Sequence, residues 1–279
     1  MILEHRRMAI SQAVEQAYQE AGLELVNLKP GVVPLYELIK AYPIRVAEIK
    51  DMTIQSISDF LEVETGQKLL FTDNENENLK LAGYLYLQEY QSHFYGCILV
   101  EKKPHLAPIS RRRFSAAHEL GHYLLHFLPL LQNHHTSSLT EPLILTEGLY
   151  IKKENEKDDV DEEDIQEEQE KSTAQFTCTN GIKAAMDNLG IDEKEMEEEA
   201  DQFAAELLIP TSACFALAKK FHGRFGKTRK VLAKRLSSEF LVSQKAMERR
   251  LQDLDLPEKL LNSSLESTKQ WEASIYKWD

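Results

Sequence analysis

Hydrophobic residues recur at helical spacing along the first sixty positions of the chain. Ile10, Val14 and Tyr18 lie four residues apart, which is typical of an amphipathic helix with one buried face. Apolar positions also predict a short helix from Leu35 to Ala41 and a further helix from Val46 to Leu61. The N-terminal region is therefore expected to be helical.

The hydrophobic period changes after residue 69. Two runs are rich in aromatic and aliphatic residues, Leu79 to Gln88 and Phe94 to Val100, and the stretch from Glu89 to His93 separates them. Such runs on either side of a short connection predict a β-hairpin. A strand edge of this kind can hold an extended peptide through main-chain hydrogen bonds.

The next segment is apolar around most of its circumference and contains His118-Glu119-Leu120-Gly121-His122. This distribution is expected of a buried central helix. Ser110 is its predicted N-cap, and Pro129 is expected to end it. Gly121 costs about 1 kcal/mol relative to alanine inside a helix. Either another backbone approaches this glycine closely, or the glycine is simply tolerated.

A second helix is predicted to begin at Asp192 and Glu195, which resemble a capping box, and to run to Pro210. Glu197 borders the apolar face of this helix, and Asp201 follows one turn later. A carboxylate beside an apolar stripe is costly unless it is paired or bound to a metal. Both side chains are therefore candidates for a polar site.

Acidic residues are unevenly distributed. The 279 residues include 46 acidic and 33 basic side chains, which gives a net charge of −13. Much of the excess lies in one block of about residues 152–172. Because such a block cannot bury enough apolar surface to offset its ordering entropy, we expect a mobile insertion with no metal-binding role.

Three features predict a cytoplasmic protein with no membrane partner. The residues that follow Met1 lack the apolar segment of a signal peptide. No apolar run approaches the roughly 18 residues needed to cross a bilayer. Cys97, Cys178 and Cys214 are far apart and form no Cys-x-x-Cys pair, so they are expected to be reduced thiols.

Residues 219–250 are strongly basic, in contrast to the rest of the chain. The segment from Leu232 to Leu251 has the pattern of a helix-turn-helix, with Ser243 as the N-cap of the second helix. One interpretation is a weak nucleic-acid contact through phosphates. The other is that two short helices pack on the protein and their charges are solvated.

The residue types in the two long helices point to metal chemistry. His118 and His122 lie on one side of a helix, and two neutral imidazoles can hold a zinc ion. Glu119 can then act as general base on a water molecule at that metal. Glu197 is the favoured third ligand, and Asp201 is the candidate that orients a ligand histidine through its other ring nitrogen. The alternatives for the third ligand are Glu193, Glu141, Glu147, His126, His134 and His135.

The chain resembles the ImmA/IrrE family of metallopeptidases. The resemblance lies in Arg-Arg-Arg-Phe-Ser-Ala-Ala-His-Glu-Leu-Gly-His at 111–122 and in Glu-Glu-Glu-Ala-Asp-Gln-Phe-Ala-Ala-Glu-Leu-Leu-Ile-Pro at 197–210. The stretch from Phe240 to Leu256 resembles the helix-turn-helix-like segment that follows in such proteins. The resemblance covers roughly residues 79–256.

This resemblance implies an α+β fold with a mostly helical, thermolysin-like zincin core and a small antiparallel sheet. Carried over by position, His118, His122 and Glu197 would hold one zinc ion per chain. Glu119 would be the general base, and Asp201 would support a ligand histidine. The residue that stabilises the oxyanion stays open, with His126 and His134 among the candidates.

The implied function is a cytoplasmic zinc endopeptidase that cleaves a helix-turn-helix transcriptional repressor, in the regulation of mobile elements or of stress responses. The competing hypothesis is a zinc-containing regulatory protein that binds a repressor or DNA without cleaving it. The predicted regions are a helical region at 1–68, a metallopeptidase core with the acidic insertion at 69–210, a helix-turn-helix-like segment at 211–256 and a tail at 257–279.

Overall fold

A computed structural model of the chain has the mixed α+β architecture predicted from the sequence. The acidic block of about residues 152–172 and the tail at 257–279 lie outside the part of the chain that it describes. The structure describes residues 4–23, 31–66, 80–90, 93–102, 109–133, 144–150, 193–225 and 228–256.

The described residues form two compact units. The first contains the described parts of Met1–Leu23 and Pro34–Leu207, and the second those of Glu24–Val33 and Leu208–Asp279. In chain order the described elements are α1 (Glu4–Glu20), α2 (Leu35–Ile39), β1 (Ile44–Ile49), α3 (Ile54–Thr65), β2 (Leu81–Tyr90), β3 (His93–Glu101), α4 (Ile109–His122), a π-helical turn (Tyr123–Phe127), α5 (Leu128–Asn133), β4 (Ile144–Tyr150), α6 (Glu193–Leu208), α7 (Thr211–Phe225), α8 (Arg229–Phe240) and α9 (Gln244–Asp253).

The sheet of the first unit has four strands in the order β1-β3-β2-β4. The predicted hairpin is confirmed, because β2 and β3 pair antiparallel with Tyr90 opposite His93. β4 adds to the other side of β2, also antiparallel, and β1 pairs parallel to β3. The sheet is therefore larger than the predicted hairpin and is mixed rather than purely antiparallel.

The predicted helix from Val46 to Leu61 is wrong in its first half. Ile44–Ile49 is strand β1, and the helix α3 begins only after Thr53. The Thr53 side chain accepts a hydrogen bond from the Ser56 backbone N–H, and the Ser56 hydroxyl accepts one from the Thr53 N–H. This capping box starts the helix, whereas β1 depends on pairing with β3, about fifty residues further along the chain, which local periodicity does not reveal.

Helix α3 covers one face of the sheet. Tyr84 and Tyr86 of β2 point toward it, and because side chains alternate along a strand, Gly83 lies on the opposite face. That opposite face receives α4. The buried cluster between α3 and the sheet consists of Ile49, Met52, Ile54, Ile57, Leu61, Leu81, Tyr84, Tyr86 and Leu99.

Helix α4 is the predicted central helix, but neither of its predicted ends is correct. It already includes Ser110, so Ser110 is not the N-cap. At its other end the chain stays helical past Pro129, through the π-helical turn and α5. The Leu128 N–H bonds to the Tyr123 carbonyl in this wider turn. Pro129 then lies in the first turn of α5, where the lack of an amide hydrogen is tolerated.

Helix α6 follows the predicted course, ending just before Pro210. The predicted start at Asp192 lies outside the described residues. The close approach that would explain Gly121 is confirmed: a Cβ atom at this glycine would lie 3.2 Å from the Ala200 Cα and 3.1 Å from Phe203 Cδ1. A side chain here would crowd both atoms, so glycine favours the close approach of α4 and α6.

The second unit contains the predicted helix-turn-helix arrangement. Helix α8 ends at Phe240, and the next residue, Leu241, has a left-handed backbone with φ of 51°. Ser243 then caps α9, because its side chain accepts a hydrogen bond from the Ala246 N–H. Both helices bury an apolar face within this unit, including Leu236 and Met247.

Within the part of the chain that the structure describes, no helix combines the length and the apolar character that a membrane span requires.

The capping box generates a prediction about stability. Thr53→Ala is expected to lower the free energy of unfolding by about 1 kcal/mol, because it leaves an amide at the start of α3 without its acceptor. Glu62→Ala, at an exposed position of the same helix, should change it by less than about 0.5 kcal/mol. Chemical denaturation of both variants checks this, and equal effects would contradict it.

Candidate metal centre

Two histidines of α4 face the same side of the helix. His118 and His122 lie one turn apart, and both are buried, with exposed fractions of 1% and 0%. Their Nε2 atoms are 3.0 Å apart, so the two rings converge on one point. The four-residue spacing on a regular α-helix produces this convergence, as the sequence predicts.

Helix α6 brings carboxylates to the same point. Glu197 Oε1 lies 3.0 Å from His122 Nε2, and Glu197 Oε2 lies 3.4 Å from His118 Nε2. Asp201 Oδ1 is 2.9 Å from the other ring nitrogen of His118, Nδ1. The two helices therefore meet across the long chain segment that separates them in sequence. The residues predicted from each helix lie in contact.

The converging atoms could hold a metal ion. One ligand atom each from His118, His122 and Glu197 lies within 4.8 Å of the others. Ligand atoms about 2.0–2.2 Å from a tetrahedral metal are separated by roughly 3.3–3.6 Å, which is close to the observed separations. Two imidazoles and one carboxylate are also the donor set of several catalytic zinc sites.

The titration behaviour of this cluster follows from burial and from its charges. Burial lowers the pKa of His118, but the hydrogen bonds and charges of Asp201 and Glu197 together outweigh it and raise the pKa to about 10. Burial lowers the pKa of His122 to about 3, against the contact with Glu197. Burial opposes ionisation of Glu197, yet the two histidines hold its pKa well below the usual range. Without a metal, the His118 ring thus carries an additional proton and a positive charge. A bound metal cation would displace that proton.

The glutamate between the two histidines lies against the sheet. Glu119 is fully buried, and its side chain packs over Gly83 of β2. A Cβ atom at Gly83 would lie 2.5 Å from Glu119 Oε1 and 3.2 Å from its Cγ. Glycine inside a strand often marks such a close approach. Gly83 therefore makes the space that Glu119 occupies.

Among the alternatives for the third ligand, the structure describes the side chain of His126. His126 lies beside His122 but does not point at the converging atoms, because its Nδ1 contacts His122 Nδ1 and its Nε2 contacts Glu199. The same two contacts occupy both ring nitrogens, which removes His126 as a candidate for stabilising an oxyanion. The remaining alternatives have side chains outside the described residues: Glu193, Glu141, Glu147, His134 and His135.

Two residues beside the centre were not selected from the sequence. Glu199 of α6 is buried and binds both His126 and, through an ion pair, Arg6 of α1. Burial opposes its ionisation, but these two partners lower the pKa of Glu199 to about 2. Glu199 borders the apolar stripe of α6 on the side opposite Glu197. The criterion that selected Glu197 would therefore have found it. No comparable sequence pattern marks Arg6, because its partner lies 193 positions away.

The basic residues of the second unit fall into two groups. Arg250 is buried and donates hydrogen bonds to the Ile209 carbonyl and the Thr211 hydroxyl, and Arg229 donates to the Leu256 carbonyl. These two side chains stabilise the unit. Other basic side chains of α8 and α9 are exposed: Lys230, Lys234, Arg235, Lys245 and Arg249.

A comparison of the sequence with models of known protein families found none that matches, and a comparison with curated proteins found no significant match.

Proposed function

We propose that this protein is a zinc-dependent endopeptidase. The observation that carries the proposal is the buried convergence of His118, His122 and Glu197, whose ligand atoms lie within 4.8 Å of one another. Ion-binding atoms of this kind are costly to bury together unless a cation compensates them. The placement of a glutamate directly after the first histidine supports hydrolysis over a purely structural role.

Each residue has a role in the proposed reaction. His118, His122 and Glu197 would hold the metal, which would make a water molecule more acidic and polarise a carbonyl group of the substrate. Glu119 accepts the proton of the attacking water and returns it to the leaving amine. Asp201 accepts the Nδ1–H of His118, which leaves the Nε2 lone pair of that ring for the metal.

The proposed substrate is a helix-turn-helix transcriptional repressor in the cytoplasm, as the resemblance to ImmA/IrrE proteins suggests. The sheet supports a peptide substrate, because among the described strands β4 has a neighbour on one side only, and that neighbour carries Gly83. An extended peptide could add to such an edge. The exposed basic side chains of α8 and α9 favour a weak accessory contact with nucleic acid.

The metal and the reaction can be tested together. We expect about one zinc per purified wild-type chain and cleavage of a helix-turn-helix repressor, the proposed substrate. Glu119→Gln should keep the zinc but lose at least about 100-fold in cleavage rate, because it removes only the general base. Glu197→Ala should lose the zinc as well. Metal analysis and gel electrophoresis measure these outcomes.

Glu195→Ala is the matched control, because Glu195 lies on the same helix but is exposed. It should keep both zinc and activity. Zinc in the wild type without any cleavage would favour the competing hypothesis of a repressor-binding protein that does not cleave.

The raised pKa of His118 predicts a pH dependence of metal binding. Because this pKa is about 10 in the metal-free chain, the ring carries its additional proton at pH 8. Zinc must displace that proton when it binds. Asp201→Asn removes one of the two groups that raise the pKa, so the wild type should release more protons per zinc than this variant. Calorimetry in two buffers with different protonation enthalpies measures the difference; equal release would contradict the assignment.

Gly83 supplies a test of the position of Glu119. In Gly83→Ala the added methyl group would overlap Glu119 and displace it, and we expect on the order of 100-fold lower activity with unchanged zinc content. Gly96→Ala is the control, because it crowds Leu87 and Ile44 in the same sheet without touching Glu119. Similar losses in both variants would mean that the effect is general damage to the sheet.

A further inference from the structure

We propose that His126, Glu199 and Arg6 form a relay that fixes the ring of His122 in the tautomer able to bind the metal. These three are positioning residues, since none of them is a ligand in the proposed centre. The inference rests on the proposed function, but it also makes a statement about the metal-free chain. It links α1, which contains no candidate catalytic residue, to the centre.

The relay is a continuous chain of contacts, buried from His122 to Glu199 and partly exposed at Arg6. His122 Nδ1 lies 3.2 Å from His126 Nδ1, and His126 Nε2 lies 3.1 Å from Glu199 Oε2. Glu199 in turn accepts two hydrogen bonds from the guanidinium of Arg6, one from Nε and one from Nη2. His122, His126 and Glu199 are 0%, 1% and 4% exposed, so water does not compete for these contacts.

The positions of the protons follow from the acceptor at the end of the chain. The Glu199 carboxylate, paired with Arg6, can only accept, so the Nε2 of His126 must carry the hydrogen. The Nδ1 of a neutral His126 is then an acceptor. A hydrogen bond between two Nδ1 atoms needs one hydrogen, which must belong to His122. This leaves the Nε2 lone pair of His122 directed at His118 and Glu197.

The two proposed histidine ligands are thus fixed by different means. Asp201 accepts the Nδ1–H of His118 directly, as carboxylates commonly do for metal-bound histidines. For His122 a second imidazole stands between the ligand and the carboxylate. The π-helical turn after His122 carries His126, and such turns occur frequently at functional sites.

Arg6 makes the arrangement possible by balancing a buried charge. Without it, Glu199 would be a buried charge with no opposite charge beside it, which is costly. The bidentate geometry of the Arg6 pair fixes both oxygens of Glu199. Since Arg6 belongs to α1, correct docking of this helix becomes a condition for the correct tautomer of His122.

Zinc affinity tests the relay by competition with a chelator. Glu199→Leu removes the acceptor while keeping an apolar group in the buried position, and His126→Phe removes both ring nitrogens. We expect each to bind zinc 10- to 100-fold more weakly than the wild type. Arg6→Gln should weaken binding less, because His126 keeps its acceptor.

Two hydrogen bonds between α1 and α6 offer matched control variants. Tyr18 donates a buried hydrogen bond to the Leu207 carbonyl, and Ser11 donates one to Glu206. Both hydrogen bonds link α1 to α6, and neither involves a residue of the relay. Tyr18→Phe and Ser11→Ala should lower the melting temperature without changing zinc affinity by more than about twofold. If these variants weaken zinc binding as much as Glu199→Leu does, the relay is a structural contact only.

The tautomer itself is measurable by nitrogen-15 NMR of the histidine rings in the metal-free chain. The relay predicts that His122 carries its hydrogen on Nδ1 in the wild type and becomes a mixture of tautomers in Glu199→Leu. A hydrogen on His122 Nε2 in the wild type overturns the proposal. If the wild type binds no zinc, the proposed function fails, and this spectrum still decides the relay.

Discussion

The centre depends on the close contact between α4 and α6. Gly121 allows it, because any side chain at that position would meet the backbone of Ala200. The contact places His118 and His122 against Glu197, with separations of 3.0–3.4 Å between their polar atoms. The glycine weakens α4 locally, and the packing of Phe203 and its neighbours against it offsets that loss. Gly121 thus lowers the stability of α4 locally and allows the ionisable groups of α4 and α6 to lie in contact.

Hydrogen-bonded polar groups lie on both sides of this contact. On one side Asp201 bonds to His118; on the other, His126 and Glu199 connect His122 to Arg6. A buried polar cluster stabilises a protein only when its members satisfy one another, and a partly satisfied cluster is costly. The full set explains how so many ionisable side chains remain buried in a small volume.

Sequence patterns predicted the parts of this structure that depend on local chemistry. Helical periodicity placed His118 and His122 together and selected Glu197 and Asp201, and Ser243 was identified as a cap. Strand β1 was missed because its pairing partner is distant in sequence. Pro129 was misread because a π-helical turn changes which backbone groups a proline obstructs. Arg6 was missed because its partner Glu199 lies 193 positions away, whereas Glu199 borders the apolar stripe of α6 and could have been found by the criterion that selected Glu197.

The long separation between the ligands has a consequence for synthesis of the protein. The ribosome releases the chain from its N-terminus, so α1, the sheet strands β1 to β3 and α4 emerge before α6. His118 and His122 are therefore exposed to the cell without their carboxylate partners until residue 201 has left the ribosome. A nascent chain cannot complete the proposed centre, and so cannot act on neighbouring nascent proteins, before synthesis has passed residue 201.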